Sequence, residues 1–500
     1  MIQKIISIWQ QKKTKRNIII LASVSVILYL VIVVAVKSLH PANPDDIPVA
    51  EVGDRVITLR DFRMNYEFGF PSLKVGKELF ERRRSYLNAM VNEMLLANEG
   101  YRLGLDKHQR VEDNDRDMVT DLLTDALIQN EIVEKTTVSD NEIRDAINKS
   151  KVQIKIRYWG EPTKEGAEAA RASMLSRGYA KALDSILSVH KDVPLIPSML
   201  ESDYLNAFEV DPTVINALKD IQLGGISQPV QVKDGFYVFQ LVDIRRKGIM
   251  EHEYVSQYST MKKVLLNLKY DEGITKFVGE YMTPQHVVTK GEAFWKLSEA
   301  MAEWIEKKDF ERMSLRDAVK NASIDQKRYA ELQAMWDQPM VTYAQGRYTV
   351  GEFLDIFKPS LRDMNPSNME LLRKLTNQQV ALTIRNQLLA KEAQRRGLDK
   401  LPSVKHERQI WRDKSVYEEM RQMYVGDLRL EKNSAKTIKE ILTRKADSLR
   451  TRYHVSINYK IIDTLNIPES NASRWMGMQL FKSGSKKIAI PMTDGLWGKL

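Results

Sequence analysis

Cysteine is absent from the 500 residues. That removes disulfides, Cys-ligated zinc, iron–sulfur clusters and any thiol nucleophile. It says nothing about the redox compartment, because a chain without Cys is tolerated anywhere. Gly (23) and Pro (16) are sparse, which excludes collagen-like and Pro-rich chains. The seven histidines are His40, His108, His190, His252, His286, His406 and His454. No two lie within a helical turn or a metal-ligand hairpin of each other, and we read them as surface or boundary side chains. HExxH, GxSxG, GxGxxG and Walker motifs are missing, and Gly224-Gly225 is too short to cradle phosphate. The residues by themselves demand no enzyme, and no cofactor or metal is expected.

What is present is ordinary for a folded chain: 43% hydrophobic and 28% charged residues, which argues against wholesale disorder. At roughly 100–200 residues per domain, the length suggests two to four modules. The formal charge is +10, but Lys4, Lys12, Lys13, Lys15, Arg16 and Lys37 sit in the first 44 residues without an acid among them. Setting those six aside leaves 70 basic residues against 66 acidic ones. A nucleic-acid binder concentrates positive charge on the surface that meets phosphates. Here the excess flanks an apolar run, so no nucleic-acid partner is expected.

That run, Ile18 to Val36, contains no charged residue. Nineteen residues at about 1.5 Å rise span roughly 28 Å, the thickness of a bilayer's hydrocarbon core. A buried soluble helix and a cleaved signal peptide are the alternatives. The first rarely runs so long without a polar face, and Val36-Lys37-Ser38-Leu39 makes a poor cleavage site. Five basic residues precede the span and one follows it, so residues 1–17 are expected in the cytoplasm and the body across the membrane. His40-Pro41-Ala42-Asn43-Pro44 reads as an extended tether.

The body repeats itself. Asn92–Lys107 (NEMLLANEGYRLGLDK) aligns with Arg385–Lys400 (RNQLLAKEAQRRGLDK), including Gly104/Gly397 and the Leu-Asp-Lys after each. Upstream, Gly53–Phe62 resembles Ala344–Phe353. Thr58 with Asp61 and Thr349 with Glu352 have capping-box spacing, as do Ser139 with Glu142, and Ser314 with Asp317 marks another helix start. A long amphipathic helix follows in each copy. In the first, Phe80, Leu87, Met90, Val91, Met94 and Leu95 fall on one stripe. Gly104 and Gly397 are placed to end these helices in the left-handed conformation. A further helix carries Met118, Val119, Leu122, Leu123, Ala126 and Leu127. Each copy then reaches an alternating strand, Val152–Tyr158 or Tyr453–Tyr459, with one buried face expected. The charge runs Glu81–Arg84 and Arg444-Lys445 read as solvated helix faces.

These segments resemble a family. VAEVGDRVITLRDF with LNAMVNEMLLANEGYRLGL looks like the N-terminal helical module of SurA- and PpiD-type periplasmic folding factors. VSDNEIRDAINKSKVQIKIRYW and ALKDIQLGGISQPVQVKDGFYVFQLVDIRR resemble the opening and closing parts of a parvulin (PpiC-type) prolyl isomerase domain. The resemblance implies a mainly helical α+β protein. Its expected parts are a basic segment 1–17, a transmembrane anchor 18–36, a helical module 45–150 and a parvulin-like domain 151–248. A helical linker region 249–340, a second helical module 341–465 and a tail 466–500 follow. It also implies a His in the domain's first strand and another in its last. Tyr158 (before Trp159-Gly160) and Tyr237 stand there instead, Lys219 falls near the usual apolar wall, and the family's Gly-rich loop is not recognisable in Asp192–Asn206.

The expected function is therefore a chaperone of the inner membrane, single-pass with its body in the periplasm. It would bind unfolded or nascent exported polypeptides, with Tyr158, Tyr237, Val214 and Leu218 as candidate peptide-contacting residues and no catalytic set. An active peptidyl-prolyl isomerase with unusual residues and a structural subunit of an envelope complex are the alternatives.

Overall fold

The computed structural model describes residues 46–189, 197–232, 235–426, 434–465, 467 and 490–498. The expected cytoplasmic segment 1–17 and anchor 18–36 lie outside the described residues. Among the described residues, no helix is long and apolar enough to cross a membrane.

In chain order, a hairpin of β1 (Pro48–Val52) and β2 (Arg55–Thr58) turns at Gly53, whose φ of +64° suits a residue without Cβ. Helix α1 (Leu59–Phe68) follows, then α2 (Leu79–Arg102), α3 (Gln109–Ile128) and α4 (Asp140–Ser150). The next stretch holds β3 (Val152–Glu161), α5 (Lys164–Arg177), α6 (Tyr179–Val189), β4 (Leu205–Asn206), α7 (Pro212–Leu218), β5 (Val230–Val232) and β6 (Gly235–Arg246). After it come α8 (Glu251–Ser256), α9 (Tyr258–Met282), β7 (Val288–Thr289), α10 (Gly291–Glu306), α11 (Leu315–Lys320) and α12 (Lys327–Gln333). A second hairpin, β8 (Pro339–Tyr343) and β9 (Gly346–Thr349), leads to α13 (Val350–Ile356), α14 (Met369–Arg395) and α15 (Pro402–Val425). Helix α16 (Ser434–Leu449), β10 (Val455–Ile457), α17 (Tyr459–Asp463) and the segment 490–498 complete the described chain.

The start signals act as the sequence suggests. Thr58, Ser139 and Thr349 each accept from the backbone three residues on while Asp61, Glu142 and Glu352 reach back. Ser314 caps α11. Gly104 and Gly397 have φ of +78° and +76°, so both copies turn the same way between their long helices.

Two compact units result. One holds the described residues up to Leu127, Gly291–Met340 and those from Tyr348 onward; the other holds Ile128–Lys290 and Val341–Arg347.

Within the first unit the repeat copies exchange helices. Val416, Tyr417 and Met420 of α15 and Ile438, Leu442 and Ala446 of α16 share one core with Phe62 and Tyr66 of α1 and Tyr86, Leu87, Val91 and Leu95 of α2. At the crossing, a Cβ on Gly100 would lie 2.6 Å from Cγ1 of Val416, so glycine permits this approach of α15 to α2. The exchange is reciprocal. Thr124 of α3 donates to the Asn386 carbonyl of α14 (3.2 Å), and Gln387 donates to Thr120 (3.4 Å). Helices α3 and α15 meet through Asp115, which takes Arg408 at 2.6 Å and Arg412 at 3.1 Å. Strand β10 joins the first hairpin in the order β10-β1-β2, antiparallel, with Ala50 opposite Ile457. The stretch 341–465, read in the sequence as a second module, thus does not close on itself: its second half, from α15 onward, completes the core of the first.

Three sequence readings need correction. Phe80 is 41% exposed and lies under the Arg84 guanidinium instead of in the apolar stripe. Arg83, read as solvated, is buried and donates to the carbonyls of Ile462 (3.3 Å) and Asp463 (2.8 Å) of α17. The two alternating strands are not equivalent: β3 runs through the second unit's sheet, whereas β10 lies at the edge of the first unit's sheet. Nor does β3 bury alternate residues; only Ile156 and Trp159 are fully buried, because helices cover both of its faces.

The second unit contains a four-stranded sheet flanked by helices. Its order is β4-β3-β6-β5, all antiparallel. One face carries Trp159 and Val238 under Ala167, Ala170 and Met174 of α5 and Leu183 of α6. The other carries Ile156, Phe239 and Leu241 under Val214 and Leu218 of α7. Helix α4 closes on α9 through Ile143, Ile147 and Met261.

Candidate functional sites

Tyr158 and Tyr237 stand on the two central strands. The register places Tyr158 opposite Phe239 and Gly160 opposite Tyr237, so all four share one sheet face. The Tyr237 ring stacks on Phe239 (centroids 6.2 Å apart, 19° between planes) and covers Gly160, where a Cβ would stand 2.5 Å from the ring. Glycine at 160 is therefore what lets the ring lie flat across β3. The Tyr158 hydroxyl donates to the Met199 carbonyl at 3.1 Å, and its own carbonyl accepts from Tyr179 at 2.9 Å. Burial raises the Tyr179 hydroxyl to about 12, so it stays a neutral donor.

Val214 and Leu218 join the same cluster, but they point down onto the sheet and are 4% and 6% exposed. The four candidate residues are thus together. Only the two tyrosines, each partly buried, reach the margin of the face. Lys219 is exposed at the end of α7. No histidine lies among the described residues of 152–246. Chemically the face offers rings and two hydroxyls, of which that of Tyr158 is engaged by backbone. Rotating a prolyl bond needs a catalyst that holds the twisted amide more tightly than the planar one, across a barrier of about 18–20 kcal/mol. Of the two tyrosine hydroxyls in this cluster, that of Tyr158 is already bound to a carbonyl.

A second site was not foreseen. In the first unit, a cavity of about 500 Å³ opens where α15 crosses α2. Met90, Met94, Ile410 and Tyr417 give it apolar walls, while Asp61, Glu93, Asp413, Lys414 and His406 line the rest. Its charges are held in pairs. Lys414 meets both Glu93 oxygens at 3.0 and 3.1 Å; burial pushes the Glu93 carboxyl up in spite of that lysine. Arg55 pairs with Asp413, which also accepts from Tyr101 at 2.9 Å. His406 lies 3.0 Å from Asp61.

The repeat places a counterpart elsewhere in the same unit. A cavity of about 450 Å³ between α3 and α14 is lined by Asp117, Thr120, Asp121, Thr383, Asn386 and Gln387. In the register of Asn92 with Arg385, these correspond to Ile410, Asp413, Lys414, Met90, Glu93 and Met94. One geometry therefore recurs with two chemistries: apolar and charged at the first crossing, hydroxyl, amide and acid at the second. Among the described residues, no cluster of three or more His, Asp and Glu is placed to hold a metal ion.

The His406–Asp61 pair makes stability depend on pH. The hydrogen bond to Asp61 raises His406 above its ordinary 6.5, against the effect of burial. Burial would lift Asp61, but the hydrogen bonds from His406 and Thr58 outweigh it and leave the carboxyl below 3.8. Stabilisation from the histidine is complete below about pH 6.5 and fades as pH rises through its raised value; that from the aspartate fades as pH falls through its lowered value. Arg60 and Glu407 also face the pair: Arg60 works against the charged histidine and Glu407 favours it. We expect thermal unfolding of the full chain to show a decline in melting temperature from pH 6 to 8 that His406→Asn flattens. An identical slope in both chains would remove the pair from consideration.

No family model and no curated protein matches the chain. Solved structures similar to it include a peptidylprolyl isomerase (PrsA) from Bacillus anthracis, 12% identical over 38% of this chain and 96% of that one, with a TM-score of 0.22. A foldase protein PrsA from Streptococcus pneumoniae is 14% identical over 44% of this chain and 86% of its own, at 0.24. A SurA-like chaperone of Campylobacter jejuni is 12% identical over 49% and 100%, at 0.20. At these scores no role follows from the likeness.

Proposed function

We propose that the chain is a chaperone that holds unfolded exported polypeptides, tethered to the inner membrane by residues 18–36 with its body in the periplasm, and that its parvulin-like sheet domain has no isomerase centre. The observation carrying this reading is the state of the sheet face. The four-stranded sheet carries helices on both faces, yet tyrosines occupy the positions where the resemblance implies histidines, and the Tyr158 hydroxyl is bound to Met199. Large apolar side chains outside the cores support the holding role: Val255 (81% exposed), Met250 (65%) and Leu223 (60%) in the second unit. Such groups gain about 25 cal/mol per Å² when a client covers them. Several weak contacts on one chain gain further through effective concentration, and no nucleotide is required.

Light scattering tests the reading. At equimolar ratio, the full chain in detergent should delay aggregation of a chemically unfolded exported protein without ATP. Met250→Ser with Val255→Ser should shorten that delay. Aggregation at the rate seen with an inert protein of equal mass would refute the holding role.

A further inference from the structure

Residues Ile490–Gly498 (IPMTDGLWG) pack against helices of both repeat copies, and Gly495–Trp497 form a tight 3-10 turn that Asp494 caps. The Thr493 amide donates to the Asn65 side-chain oxygen at 3.1 Å, and the Asp494 amide to Glu93 at 2.6 Å. Two side-chain anchors follow. The Asp494 carboxylate accepts from Tyr417 at 3.1 Å and pairs with Arg421. Three positions on, Trp497 is 8% exposed, with its ring 6.5 Å from that of Tyr417. Beyond it, Lys439 donates to the Gly498 carbonyl.

The seat draws on both copies: Asn65 and Glu93 come from α1 and α2, Tyr417 and Arg421 from α15, and Lys439 from α16. The segment does not fill it. Pro491 and Thr493 help to line the 500 Å³ cavity, together with Met90, Met94 and Ile410. A seat that reads two backbone N–H groups, one acid and one aromatic, and keeps apolar space beside them, suits a family of sequences, since backbone donors are common to all of them.

We infer that this seat is a polypeptide-binding site and that Ile490–Gly498 is its resident ligand. The chemical class it takes is a peptide in which a carboxylate opens a tight turn that ends, three residues later, on a large aromatic. The resident segment competes with such peptides, so access to the seat depends on its displacement. The inference rests on the chaperone reading for its biological use, but binding itself does not depend on that reading.

The probe is a nine-residue peptide of sequence IPMTDGLWG with an amino-terminal fluorophore, followed by anisotropy. The receptor is the full chain carrying Asp494→Ala and Trp497→Ala, which loosens the resident segment. We expect this variant to bind the peptide at least tenfold more tightly than the unaltered chain. Changing the peptide's Asp to Asn or its Trp to Ala, or adding Arg421→Ala to the receptor, should each cost about tenfold or more. Absence of binding to a variant that still unfolds cooperatively, or equal binding of a scrambled peptide, would overturn the inference.

Hydrogen exchange on the unaltered chain gives a second reading should the variant fail to fold. The amides of Thr493 and Asp494 should exchange well before those of β1 and α2. Exchange of all of them together, only on global opening, would make the segment a fixed part of the core and overturn the inference as well. Client aggregation is not read in either experiment, so failure here and failure of the holding role remain distinguishable.

Discussion

Replacing Lys414 with methionine should lower the melting temperature of the first unit by on the order of 10 °C. Lys414 and Glu93 are 15% and 12% exposed and make two hydrogen bonds near 3.0 Å. Removing one partner of such a pair leaves the other charge without compensation, which costs roughly 3–5 kcal/mol, and each kcal/mol corresponds to about 2–4 °C in a unit of this size. Glu93 would have to take up a proton in the folded state. Burial already raises it, and a carboxyl raised on folding costs stability as pH climbs above its ordinary value. The deficit should therefore shrink as pH falls toward about 4.5. Adding Glu93→Gln should recover most of the loss, because glutamine keeps an oxygen for the Asp494 amide but carries no charge. Calorimetry on the four chains of the cycle gives the result. Additive losses would mean that the two side chains do not act as a pair.

Ending the chain after Leu401 should unfold the first module, although residues 48–127 stay intact in sequence. That cut removes Val416, Tyr417, Met420, Leu442 and Ala446, all fully buried against the first copy's helices. It also removes β10 from the edge of β1 and the ion pairs of Arg408 and Arg412 with Asp115. Loss of a single large core side chain costs about 2–5 kcal/mol, and a folded domain has only some 5–15 kcal/mol to lose. Hydrogen exchange should find Tyr86–Leu96 of α2 unprotected in the shortened chain and protected in the full one. Protection that survives the cut would mean that each repeat copy folds alone.

These expectations follow from features that the sequence discloses unevenly. Local signals are explicit. Thr58, Ser139, Ser314 and Thr349 start helices because hydroxyl and acid spacing satisfies backbone groups within four residues. Gly104 and Gly397 turn the chain because the left-handed conformation suits glycine. A resemblance alone marked 151–248 as a parvulin-like stretch; the pairing of β3 with β6 that sets Tyr158 near Tyr237 comes from the structure.

Partnership between distant helices was not legible. The stripe on α2 says that the helix buries Leu87 and Val91; it does not say that residues of α15 and α16, more than 300 positions later, share their core. Hydrophobic periodicity carries direction and no address. For the same reason Arg83 read as solvated: its partners are backbone carbonyls of α17, and a carbonyl leaves no mark in a sequence. His406 and Glu93 were missed as site residues because their meaning lies in Asp61 and Lys414, each brought near by the exchange. The repeat itself was the one available signal. Position by position, Met90 against Thr383 and Glu93 against Asn386 mark where the two copies diverge.

The central claim is that the chain grips polypeptides by contact and has no working reaction centre, and the rate of proline interconversion tests it most directly. In a protease-coupled assay with a proline-containing peptide, micromolar full-length chain should leave the uncatalysed rate, tens to hundreds of seconds at 25 °C, unchanged, and Tyr158→Phe or Tyr237→Phe should make no difference. An acceleration that scales with chain concentration and falls when either tyrosine is changed would contradict the claim.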